Sequence, residues 1–334
     1  MIRSIALHDF GPISSLEWSS LGLVNLIIGP NRSGKTFLLK AIYSALKTTE
    51  QYRRGKENRT EKEILTEKLY WTFQTQPIGN LVKKGSSSLS FSMETRAGNK
   101  FYYSFGSGTT KSISTLESTI SRKNINSVFI PAKEVLSLQD IILDSRNRYS
   151  EFGFEDPYFD LAKAIAPTGK GRNLKAFSEA RQSITEILGG KLEFDEVRKE
   201  WRFKDRRNRS YEISLTSEGI KKLSIIELLL GNHYLSRDSV IIIDEVEANL
   251  HPSLISSFME IIFELSKEGV QFFISTHSYF VIKKLYILAH KNKQSVPVVS
   301  FDSKSVTVGD LQKQMPKNAI IDESISLYKE EIGL

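Results

Sequence analysis

A chain of 334 residues, 40% of them hydrophobic and 25% charged, has the balance of a soluble globular protein with one large or two modest cores. It has no cysteine, which excludes a disulfide framework and thiolate metal sites, and no apolar run approaches the roughly 18 residues that span a bilayer. The first residues lack a signal-peptide pattern, so a cytoplasmic protein is expected; the net charge of +7 permits nucleic acid as a partner without requiring it.

Residues 2–18 alternate like strand and turn at Gly11-Pro12. LGLVNLIIG (21–29) reads as a buried strand, and FLLKAIYSAL (37–46) repeats apolar residues at helical spacing. From 48 to 68 the chain is polar and charged, with a weak cluster of cations from Arg53 to Lys62. SLSFSMET and KFYYSF form a hairpin around Ala97-Gly98-Asn99, and 112–126 reads as polar loop or surface helix. Pro131 closes a strand at SVFI, with a helix to follow; 144–176 is irregular and 177–188 helical. A second hairpin, KLEFDEV and EWRFKD, continues into RSYEISLTSEG. Thereafter strands (SVIIIDE, VQFFIST, VPVVSFD) alternate with helices over Pro252–Lys267 and Tyr279–His290, which predicts a mostly parallel sheet covered on both faces.

Three stretches carry chemistry. GPNRSGKT (29–36) fits G-x-x-x-x-G-K-[ST] between a strand and a helix. Gly29 and Gly34 let the backbone curl so that the N–H groups of Asn31, Arg32 and Ser33 can face phosphate oxygens. Lys35 reaches the β- and γ-phosphates, and Thr36 places its hydroxyl on Mg²⁺. VIIIDEVEANLHP (240–252) ends a buried strand in paired carboxylates: Asp244 suits Mg²⁺, and Glu245 suits a general base that polarises the attacking water. FFISTHS (272–278) ends another strand in His277, whose imidazole could hydrogen-bond a γ-phosphate. The Ser217-Glu218-Gly219 start of the next helix exposes N–H groups at the positive end of a helix dipole, a second anion-ready position.

Together these stretches resemble the ATP-binding-cassette class of P-loop ATPases, in its SMC and RecF-like branch with the OLD-type ATPases of antiphage systems. FIPAKEVLS and the tail IIDESISLYKEEIGL are similar to small AAA-type defence ATPases of that branch. The resemblance implies an α/β ABC-ATPase head, with a mostly parallel P-loop sheet, flanking helices and an antiparallel β lobe. The head would comprise 1–47 and 190–334, with a compact α/β insertion over 48–189. It implies ATP and Mg²⁺ as ligands and a homodimer or higher assembly with ATP at its interface. Ser217 and Gly219 then form the signature that caps the partner's γ-phosphate, Ala248-Asn249-Leu250 the D-loop, and Gln74, with Gln76 close behind, the Mg²⁺-side glutamine. TSEGI departs from the transporter-type LSGGQ, and 182 residues separate Lys35 from Ser217. Only 57 residues follow His277, too few for the TOPRIM nuclease of OLD-type proteins, so the resemblance implies an effector, a nuclease or toxin, on a separate chain. Two alternatives stand beside this one: a RecF-like DNA repair ATPase, to which the arginines of the 202–209 hairpin would lend a phosphate-tracking surface, and an ATP-gated, non-catalytic scaffold holding a toxin.

Overall fold

The computed structural model describes residues 1–121, 125–149, 151–166, 174–302 and 306–333. A hairpin of β1 (Ile2–Phe10) and β2 (Ile13–Trp18) precedes β3 (Val24–Ile28) and α1 (Lys35–Gln51). α2 (Glu61–Phe73) leads into β4 (Ser88–Thr95), β5 (Lys100–Gly106), β6 (Thr115–Ser118) and β7 (Val128–Ile130). Three helices follow, α3 (Gln139–Asn147), α4 (Asp156–Ala164) and α5 (Lys175–Leu188). A small antiparallel unit, β8 (Gly190–Asp195), β9 (Glu200–Asp205) and β10 (Ser210–Glu212), hands the chain to α6 (Glu218–Gly231). The remainder alternates: β11 (Val240–Ile243), α7 (Pro252–Lys267), β12 (Gln271–Thr276), α8 (Tyr279–Asn292), β13 (Pro297–Phe301), β14 (Val306–Asp310) and α9 (Ala319–Gly333).

The central sheet has the order β14-β13-β3-β12-β11-β7, parallel except for β14. Its strands are apolar without interruption because both faces are covered. Leu26, Ile28, Ile241, Ile243, Phe272 and Ile274 pack into one core with the C-terminal helices. Ile27, Ile242, Phe273 and Val299 pack into a second core with α1 and the antiparallel sheet β2-β1-β4-β5-β6. Trp18 meets Phe273 edge-on at 6.1 Å, joining the two sheets. The expected α/β architecture, a parallel P-loop sheet with flanking helices and an antiparallel lobe, is therefore present.

The proposed boundary between head and insertion does not follow the sheets. β4 pairs with β1, β5 and β6 extend that sheet, and β7 pairs with β11, so the strands within 48–189 complete the two larger sheets. Such long-range strand pairing carries no local signal in the sequence.

Local readings also change. The charged stretch 48–68 holds the end of α1 and most of α2, which Thr60 and Glu63 start with a reciprocal capping box. Residues 115–118, expected as loop or surface helix, form edge strand β6, and α4 interrupts the stretch expected to be irregular, with Pro157 in its first turn.

Four elements meet in a buried polar cluster. Lys68 of α2 donates to Asp156 at 2.6 Å and Asp160 at 3.1 Å on α4; Tyr43 of α1 donates to Asp160 at 2.5 Å; Arg146 of α3 donates to Asp156 at 2.7 Å. Removing one partner of such a cluster strands charge away from water. Lys68→Met should therefore lower unfolding stability by about 3–5 kcal/mol, read from urea denaturation.

Candidate nucleotide site

In the central sheet β12 lies between β3 and β11, so the loop after β3, His277 after β12 and Asp244-Glu245 after β11 emerge side by side at one edge. The loop can turn there only as glycine. Gly29 has φ +150°, and a Cβ on it would lie 2.8 Å from both Cβ and the carbonyl oxygen of Phe301 on β13. Gly34, at φ +107°, opens α1. Lys35 folds back along the loop and donates to the carbonyl oxygens of Gly29 and Pro30, each at 2.8 Å. Burial pushes its pKa down, against the opposing pull of Glu245, Asp244 and Glu247.

The hydroxyl of Thr36 donates to both oxygens of Asp244, at 3.1 and 2.9 Å, and Ser275 on β12 donates to Asp244 Oδ1 at 2.5 Å. Glu245 sits in the left-handed region at φ +46°, rare for its residue type. Its peptide groups are held on both sides. The N–H donates to Ser275 Oγ at 2.8 Å, and the carbonyl accepts from Lys222 Nζ at 2.6 Å. Lys222 comes from α6, and burial lowers its pKa to about 8 although Glu247, Asp244 and Glu245 pull it upward. His277 Nδ1 lies 3.8 Å from Glu245 Oε1 and 3.3 Å from Glu247 Oε1. Glu247 fixes that turn by accepting from the Thr276 hydroxyl at 2.7 Å and the His277 N–H at 2.8 Å.

A cleft of about 260 Å³ is lined by Asn31, Arg32, Ser33, Lys35, Thr36 and Glu245, among others. A second, of about 480 Å³, shares Thr36 and Glu245 with it and is also lined by Asp244 and Gln74. Two polar atoms at these clefts, Ser33 Oγ and Gln74 Nε2, are buried without a hydrogen-bond partner. An unpaired buried donor costs about 1–3 kcal/mol, so both are suited to a polar ligand. The residues fit Mg-nucleotide: a backbone cradle for phosphate, and in Thr36, Asp244 and Gln74 the hard oxygen donors that Mg²⁺ takes.

Ser217 and Gly219 lie elsewhere. Neither lines the P-loop cleft. Ser217 caps α6, its Oγ accepting the Ile220 N–H at 3.4 Å, and is exposed; Leu215, two residues earlier, is 76% exposed. Gly219 packs against the loop after β11, where a Cβ would come within 2.8 Å of the Asn249 carbonyl oxygen. Several cations of the β8–β10 unit are engaged by neighbouring groups. Arg202 pairs with Glu200 and Arg209 with Asp205, both at 2.7 Å; Lys204 lies 3.6 Å from Glu193, and Arg206 donates to the Glu186 carbonyl at 2.6 Å.

Compared with known proteins, residues 24–283 match the family described as "AAA domain, putative AbiEii toxin, Type IV TA system". The chain belongs to this AAA-domain family. Among solved structures it is similar to a Pyrococcus furiosus Smc head domain with an extended coiled coil, bound to the C-terminal domain of ScpA. Identity is 12%, with 98% of each chain covered and a TM-score of 0.54. It is also similar to an Smc head bound to the C-winged helix domain of ScpA, at 14% identity over 92% of this chain and 97% of that one, with a TM-score of 0.55. At such identities the likeness concerns the fold, that of an ABC/SMC-type head. No curated protein matches the chain. Among the described residues of this AAA-domain protein, no helix is long and apolar enough to cross a membrane.

Sequence reasoning missed Ser275, Lys222 and Glu247. The signal for Ser275 was a hydroxyl residue near the end of an apolar strand; for Lys222, the second of two adjacent lysines just before the apolar run of its helix; for Glu247, a third carboxylate beside the expected pair. Ser275→Ala would leave the Glu245 N–H without its acceptor. Denaturant unfolding should show a loss of about 1–3 kcal/mol.

Proposed function

We propose that the protein is a Mg²⁺-dependent ATPase that closes as a dimer around two ATP molecules and thereby controls a separate effector in antiphage defence. The observation that carries the reading is the pairing of the Thr36 hydroxyl with Asp244, directly beside a Glu245 whose backbone is held on both sides. Lys35 and the loop N–H groups bind the phosphates. Thr36, Asp244 and Gln74 hold Mg²⁺, which when bound neutralises charge on the phosphate oxygens. Glu245 takes the proton of the attacking water, and His277 hydrogen-bonds the terminal phosphate and orients that water.

The dimer is supported by the placement of Ser217: an exposed helix N-terminus outside the cleft of its own chain, ready to serve the phosphates of another. The family description, with its toxin and type IV toxin–antitoxin system, supports an effector-controlling role; the effector would be a nuclease or toxin on another chain. A DNA-tracking role draws no support from the hairpin, whose cations are largely engaged by neighbouring carboxylates and carbonyls.

Two substitutions separate binding from catalysis. Lys35→Ala should weaken ATP binding about 10- to 100-fold, measured with a fluorescent ATP analogue. Ser217→Arg should bind the analogue as the parent does while phosphate release falls at least about 100-fold, the scale of losing a transition-state donor. Normal turnover in the Ser217→Arg protein would rule out the shared site.

A further inference from the structure

The helix that begins at Ser217 is tied to the β11 edge of its own chain at two places. Gly219 lies against the Asn249 carbonyl so closely that a Cβ would have no room, and one turn further on Lys222 donates to the carbonyl of Glu245 at 2.6 Å and approaches that of Asp244 at 3.5 Å. Lys222 is 7% exposed, so water does not compete well for this contact. Its acceptor belongs to a glutamate at φ +46°, a backbone setting that surrounding contacts must hold. A displacement of the α6 start therefore moves the group that fixes the Glu245 peptide.

On the dimer reading above, the α6 start serves the nucleotide held by the partner, whereas Glu245 serves the nucleotide held by its own chain. We propose that Lys222 links the two: it is a positioning residue that transmits engagement of the α6 N-terminus to the Glu245 backbone, so that each ATP activates hydrolysis of the other. This rests on the shared-site reading and adds a route between the sites.

The test is Lys222→Met, close to lysine in volume, alongside Lys222→Arg, which keeps a donor. ATP-dependent dimerisation is followed by sedimentation, and kcat and KM by phosphate release. Lys222→Met should still dimerise with ATP and keep its KM, while kcat falls about 100-fold, the scale of a 1 Å misplacement of a catalytic group. Lys222→Arg should restore kcat to within about threefold of the parent by returning the donor. A purely structural role would instead lower the melting temperature, and Arg would not restore kcat selectively. Parental kcat in Lys222→Met overturns the proposal, and so does loss of dimerisation together with kcat in a normally folded variant. If Lys222→Met does not fold, a Lys222→Arg protein with parental stability but no recovery of kcat overturns it equally. Failure of the parent protein to dimerise with ATP would overturn the shared-site reading itself.

Discussion

The site depends on the carboxylate of Asp244, which joins three segments far apart in the chain. It accepts from Thr36 at the start of α1 and from Ser275 at the end of β12, while its own strand, β11, delivers Glu245 one residue later. Ser275 uses the same hydroxyl to accept the Glu245 N–H, so two adjacent carboxylate residues are positioned by one side chain. The bonds to the Asp244 carboxylate are worth about 1.5–3 kcal/mol each. Their larger effect is geometric: they bring the Thr36 hydroxyl and the carboxylates of Asp244 and Glu245 together beside the loop of residues 29–36.

That arrangement needs a rigid platform. The double-faced central sheet supplies it, because Ile27, Ile242 and Phe273 are locked into one core and their neighbours along each strand into the other. The buried cluster of Lys68, Asp156, Asp160 and Tyr43 fixes α4 against α1, the helix that carries the P-loop lysine. Both features act on the position of the cleft walls rather than on a ligand.

Sequence alone made the P-loop, the Asp244-Glu245 pair and His277 legible, since each is a short motif at the end of a strongly apolar strand and needs only local pattern to read. The helix limits of α7 followed from Pro252 and the apolar repeat for the same reason. What was not legible is what distant segments build together. β4–β6 join β1, and β7 joins β11, through backbone pairing that leaves no mark in either segment. Nothing local to Lys222 shows that the Glu245 carbonyl faces it. α2 was hidden by its charge: its helix start is written in Thr60 and Glu63, but its buried face is carried by few residues, Ile64, Leu65 and Leu69 among them.

The central claim is that ATP is held between two copies of this chain. Its most direct test is the mass in solution of Glu245→Gln, in which the proposed base is lost and the phosphate-binding groups remain, measured by sedimentation with and without Mg-ATP. The expected result is a monomer without nucleotide and a stable dimer retaining two ATP molecules with it. A protein that binds ATP and remains a monomer would contradict it.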